Sequence, residues 1–236
     1  MPVAISSAID RTVLYAALRS IGISVPLRTE GRTKVHTETW AICRLTATLA
    51  ESNLVSYPAS VQHSDRPDFQ VQFGEATIGV EVTEAISEQY AAYSALAEHE
   101  FPDAFLEPGH FRWGRPKLTM DEMRALLRHD KLSATPWVGD RAEREWALYM
   151  QSIVESKLAK LAKPGFSQFS ENWLAIYDNL PLCHINLEKA VAFLRPALAA
   201  YWRCSPGFSA IYVEHGPVIV KLLRSEVRHR VLHDLW

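Results

Sequence analysis

The stretch from Pro67 to Thr83 leaves this chain few conformational choices. Phe69, Val71 and Phe73 alternate with Asp68, Gln70 and Gln72, and then Ile78, Val80 and Val82 alternate with Gly79, Glu81 and Thr83. A period of two sends alternate side chains to opposite faces of an extended chain, so each run predicts a half-buried strand. Gly74 and Glu75 between them predict a hairpin turn. On the second strand Glu81 and Thr83 share the polar face.

Around this hairpin the pattern is mostly helical. Residues 3–20 have the apolar spacing of a short packing helix, and Gly22, Pro26 and Gly31 mark a connector. Trp40, Ile42, Leu45, Leu49 and Ala50 predict a helix over 37–51, with Thr37 as N-cap and Asn53 and Pro58 at its exit. Helices are predicted over 84–99 and 120–132, separated by a loop from Pro102 to Pro116 rich in Pro, Gly and aromatics. A longer helix runs from 142 to 163 and stops at Pro164-Gly165. Residues 173–177 predict a buried strand, 187–201 a helix interrupted at Pro196, and 208–213 with 218–222 a hairpin turning at Gly216-Pro217.

The 142–163 helix carries the oddest placement in the chain. Its apolar stripe is Trp146, Met150, Ile153, Val154, Leu158 and Leu161, and Lys157 lies inside it. At about 100° per residue Lys157, eleven positions after Trp146, returns almost in line with that tryptophan, whereas a solvated lysine belongs on the opposite face.

Composition excludes several classes. With 236 residues, 48% of them hydrophobic, the chain has the size of one domain with an elaboration. No apolar run reaches the length of a membrane span, so no membrane partner is expected. Cys43, Cys183 and Cys204 lie too far apart for a Cys-x-x-Cys zinc site and point to reduced thiols and a cytoplasmic location. Lys and Arg total 25 against 27 Asp and Glu, which excludes a strongly basic nucleic-acid coat; any such contact must be local. There is no His-Glu-x-x-His, Gly-x-Ser-x-Gly, P-loop or Rossmann signature.

Local charge is more uneven. From Glu81 to Glu107 there are seven acidic residues and no Lys or Arg. From Arg112 to Lys131 the sign reverses through Arg112, Arg115, Lys117, Arg124 and Arg128, with Phe111 and Trp113 among them. A mixed-charge segment is usually a solvated face, and the sharper reading is a surface that tracks phosphates and stacks on bases.

Pro67-Asp68 followed by Gly79-Val80-Glu81-Val82-Thr83 resembles the signature of the PD-(D/E)XK nuclease superfamily, with twelve residues between Asp68 and Glu81. The resemblance covers roughly 37–83 and 142–177. It implies an α/β restriction-endonuclease-like αβββαβ core, a central mixed sheet flanked by helices. On that reading the chain is a single nuclease-like domain over 1–236, with a helical insertion at 84–141 and a C-terminal hairpin extension. It implies a Mg²⁺-dependent nuclease, with Mn²⁺ as a substitute ion, acting on nucleic acid, DNA foremost, and leaves homodimerisation open.

Two carboxylates on adjacent strands suit a hard divalent cation. The resemblance gives Asp68, Glu81 and the carbonyl of Val82 as metal ligands, and Glu38 as the acid from the preceding helix, with Glu51 as the competing choice. The strand lysine expected two residues after Glu81 is Thr83, which cannot supply an ammonium. In family members lacking that lysine one on the following helix takes its role, and Lys157 is the residue chosen here, Lys160 its substitute. The alternative to catalysis is a silent member of the fold that binds nucleic acid or a protein. Mutual repulsion between Asp68 and Glu81 predicts that removing either leaves fold stability unchanged or slightly raised.

Overall fold

A computed structural model describes residues 3–129, 133–182 and 184–236. Cys183, Lys131 and the last residues of the helix predicted over 120–132 lie outside the described residues. Strands β1 (Ala4–Ala8), β2 (Ala59–His63), β3 (Phe69–Phe73), β4 (Ala76–Ala85), β5 (Glu171–Asp178), β6 (Ala210–His215), β7 (Val218–Leu222) and β8 (Val227–Val231) form one mixed sheet, adjacent in chain order. The β4–β5 and β5–β6 pairs are parallel and the others antiparallel.

Parallel neighbours need long crossovers, and helices supply them. The chain leaves β4, forms α3 (Glu88–Glu100), α4 (Met120–Arg128) and α5 (Arg141–Leu161), and returns in β5; α6 (Leu187–Leu198) links β5 to β6. Before them come α1 (Arg11–Arg19) and α2 (Lys34–Glu51). Helices cover both faces of the sheet. Leu14, Leu18, Ala41, Ile42 and Leu45 pack with Ile78, Val80 and Val82 on one side. Trp146, Met150, Val154 and Leu158 of α5 pack with Leu174, Ile176 and Val213 on the other. The alternation in β4 therefore has a concrete meaning, because the set containing Glu81 is turned away from the face that buries Val80 and Val82 against α1 and α2.

The predicted hairpin forms, with Phe69 opposite Val80 and Phe73 opposite Ala76. Three other expectations are corrected. Residues 3–20 are not one helix: β1 comes first, and Asp10, whose Oδ1 accepts the Val13 N–H at 2.9 Å, starts α1. Helix α2 begins at Lys34 under a Thr33 cap, so Thr37 is a buried interior residue and not the cap. Helix α3 begins only at Glu88, since β4 continues to Ala85 to match β5 across its full length. Strands β2 and β8 have no sequence-based counterpart: Ala59-Ser60-Val61-Gln62-His63 has little bulk, and β8 presents mostly polar side chains.

Between β4 and α5 the chain builds a separate small core from Tyr93, Leu96, Ala97, Phe111, Met123 and Leu127. Its acidic and basic runs partly neutralise each other. Arg124 grips both oxygens of Glu100 at 3.0 Å, tying α4 to α3, and Arg112 pairs with the buried Glu145 of α5 at 3.3 Å.

Candidate active site

Antiparallel pairing of β3 with β4 brings the residue ahead of β3 beside the middle of β4. Asp68 is buried there, and its Oδ2 accepts the Val82 N–H at 2.8 Å. This bond uses a backbone donor that the β3 ladder, ending at Phe69, no longer engages. Gly79 leaves room for the approach: a Cβ built on it would stand 3.0 Å from Pro67 Cγ and 2.6 Å from the Phe169 ring.

Glu81 is met from the helix on its own side. Lys157 of α5 is 6% exposed, and its Nζ donates to Glu81 Oε1 at 2.7 Å and to the Val82 carbonyl at 3.1 Å. The apolar stripe of α5 fixes this geometry. Val154, Leu158 and Leu161 press the helix onto the sheet, so a residue in their midst is driven inward and must find a charge partner there. Val82 thus answers to both sides, its N–H bound to Asp68 and its C=O to Lys157.

Helix α2 supplies the third acid. Glu38 is 3% exposed, and Lys34, one turn earlier, contacts it and also donates to Asp68 Oδ1 at 2.8 Å. Burial holds the Glu38 carboxyl above its ordinary range, with the nearby Asp68 charge adding to the effect against the opposing pull of Lys34. For Lys34, partial burial acts downward, but its bonds to Asp68 and Glu38 outweigh it and keep the ammonium firmly charged. The competing acid, Glu51, lies at the far end of α2, where it accepts from Tyr15 Oη at 2.9 Å and pairs with Arg11. Of the two, only Glu38 joins Asp68.

A cleft of about 470 Å³ opens beside these groups, lined by Asp68, Glu81, Lys34, Arg66, Lys160 and Lys163. Lys160, the substitute for Lys157, therefore faces the cleft while Lys157 is committed to Glu81. Thr83 lines a neighbouring cleft with Glu38 and Lys34. Sequence reasoning missed Lys34, Arg66 and Lys163. Lys34 had a signal, standing four residues before Glu38 on one helix, but a helix start placed at Thr37 hid it.

Hard oxygen donors from three elements suit a divalent cation such as Mg²⁺. Glu38 and Asp68 already converge on one cationic group, the Lys34 ammonium. Glu81 and the Val82 carbonyl are engaged by Lys157, and among the described residues no three His, Cys, Asp or Glu side chains stand together as a ready metal shell. The donor types are those a hard cation takes, while in this structure the acids are engaged by two lysines. These contacts also revise the stability expectation. Asp68 and Glu81 are not two unscreened repelling charges: deleting Glu81 leaves the buried Lys157 without its carboxylate, whereas Lys34, exposed, keeps Glu38 when Asp68 is removed.

The basic run between β4 and α5 divides in two. Arg112, Trp113, Arg115 and Lys117 line a cleft of about 660 Å³ together with Tyr149 and Glu84. Arg124 is spent on Glu100, and Arg128 lies over the Phe101 ring.

Among the described residues no helix is long and apolar enough to cross a membrane. Compared with known proteins, the chain matches no family model, no curated protein and no solved structure.

Proposed function

We propose that this chain is a metal-dependent nuclease that hydrolyses phosphodiester bonds of nucleic acid on a restriction-endonuclease-like core. One observation carries the reading: the ammonium of Lys157 meets Glu81 on β4, two residues before Thr83, where the expected strand lysine is missing. The order helix α2, antiparallel strands β2–β4, helix α5, parallel strand β5 supports it, being the αβββαβ sequence that the resemblance implies.

In this reading Asp68, Glu81 and Glu38 hold the cation, which when bound polarises a phosphoryl oxygen and acidifies a water. Lys157 keeps a positive charge at the spot where negative charge builds on the phosphoryl group. Such a fixed charge in a water-poor setting stabilises the transition state more than the ground state. Lys34, released from Glu38 and Asp68, has the exposed stem needed to turn toward a phosphate. Arg66, Lys160 and Lys163 draw the backbone of the substrate into the cleft.

The second reading, a silent member of the fold that binds nucleic acid or protein, is favoured by the same lysines, since both strand acids are neutralised without any ion. Labelled DNA and RNA oligonucleotides incubated with Mg²⁺, Mn²⁺ or EDTA separate the two. The nuclease reading expects metal-dependent fragments that disappear in Asp68→Asn and Glu81→Gln. Oligonucleotide binding without fragments under every condition would establish the silent binder instead.

A further inference from the structure

Three clefts adjoin one another across the molecule. The one beside Asp68 and Glu81 shares Lys34 with a second, of about 350 Å³, that holds Arg28, Arg32 and Glu38. The second shares Glu84 and Ile86 with the third, of about 660 Å³, in the insertion. Each has the capacity of a small-ligand site, the scale of a nucleotide or two. Each also contributes cations. Arg28 and Arg32 are partly neutralised by Glu84, at 3.4 and 2.9 Å, and Arg112 by Glu145. Lys160 and Lys163 at one end and Arg115 at the other are exposed, and among the described residues they make no ion pair.

Trp113 distinguishes the far end. It is 40% exposed although its ring is braced by Tyr149, with centroids 4.6 Å apart and planes at 82°. An indole held firmly yet left open, among cations, is the arrangement that stacks on a nucleobase. A base inside a duplex has no free face to offer, so this platform selects an unpaired one.

Resting on the nucleic-acid reading above, we infer that the ligand is a single polynucleotide strand that runs through the three clefts, past Lys34, with a base stacked on Trp113. The phosphates follow Lys160 and Lys163, then Arg28 and Arg32, then Arg115. Asp68 and Glu81 line the cleft at one end of this path together with Lys160 and Lys163, with Glu38 in the next cleft, so the strand runs from the bond to be cut toward Trp113.

The test is fluorescence anisotropy on the full chain in EDTA, with a labelled oligothymidylate of roughly twelve nucleotides, within the site sizes such grooves show, and the same strand in a duplex. The single strand should bind more tightly. Trp113→Ala should weaken it by about fivefold to 150-fold, the loss of one stacked base, while Trp113→Tyr, which keeps an aromatic face, should retain most of the affinity. Arg115→Ala and Lys160→Ala should each lower the salt slope by about 0.7. Equal or tighter duplex binding, or unchanged affinity in Trp113→Ala, overturns the single-strand path. The nuclease reading fails separately: single-strand binding with these dependences but no cleavage in Mg²⁺ or Mn²⁺ refutes the enzyme and leaves the path standing. Cleavage with an indifferent Trp113 does the reverse.

Discussion

Lys157 and Glu81 are 76 positions apart in the chain, yet Nζ and Oε1 meet at 2.7 Å with both side chains almost wholly buried. Removing one member of such a pair leaves the other charged without a partner, which usually costs about 3–5 kcal/mol. Lys157→Met should therefore lower unfolding stability in urea by about that amount. Glu81→Leu added to Lys157→Met should recover much of it, because an apolar pair removes both desolvation penalties. A double variant as unstable as the sum of the singles would show that the two residues are not coupled.

On the proposed nuclease reading the same residue gives a distinct expectation. Lys157→Ala should keep measurable metal and oligonucleotide binding but lose turnover by several orders of magnitude, the mark of an interaction made mainly in the transition state. Lys157→Arg should rescue poorly, since a planar guanidinium differs from an ammonium in reach and donor geometry. Single-turnover rates read this directly, and a Lys157→Ala protein that cuts at the parental rate would pass the role to Lys160.

Gly79 lets Pro67, the residue before Asp68, and the Phe169 ring lie close against β4. A methyl group there would press on Pro67 and, more severely, on the Phe169 ring. Gly79→Ala should cost about 1–3 kcal/mol by overpacking and displace Asp68 from the Val82 N–H. On the proposed metal-dependent reading, thermal melting and Mn²⁺ titration should change together; a destabilised variant that binds Mn²⁺ as the parent does would mean that the Asp68 position does not depend on this contact.

Glu107 provides a pH-dependent tie in the segment between β4 and α5. Its carboxylate is partly desolvated, which acts upward. It accepts the N–H groups of Ser133 at 2.9 Å and Ala134 at 2.7 Å and pairs with His110, and these bonds prevail, holding it below its ordinary value of 4.5. A carboxyl depressed in the folded state binds protons less readily there than when unfolded. Its stabilisation is thus complete above 4.5 and is lost as pH falls through the lower, folded value. Amide exchange at Ser133 and Ala134, corrected for intrinsic rates, should accelerate below that point. In Glu107→Gln the acceleration should vanish.

Cysteine reactivity should divide by burial. Desolvation pushes the Cys43 thiol up to about 12, and the side chain has no route to solvent inside α2, whereas Cys204 is exposed. Thiolate is the reactive form. Iodoacetamide at neutral pH followed by peptide mass mapping should mark Cys204 in the native protein and Cys43 only after denaturation.

The hairpin, the long α5 helix and the misplaced Lys157 were all legible in the sequence, because each rests on a local period: two for a strand, 3.6 for a helix. Asp68 and Glu81 follow from the hairpin alone, since its register is set by which side chains must be buried. Local pattern also places Lys157 on the inward face of its helix, but nothing local says what it meets there. That partner was decided by the crossover from β4 through α5 to β5, which stacks this helix on the face of the sheet carrying Glu81. Tertiary structure likewise chose Glu38 over Glu51, two acids of one helix, by laying only the first turns of α2 against Asp68. It brought Lys34 to both, and it drew β1, β2 and β8 into the sheet, where pairing with neighbouring strands supplies the hydrogen bonds that their weak side-chain patterns could not announce.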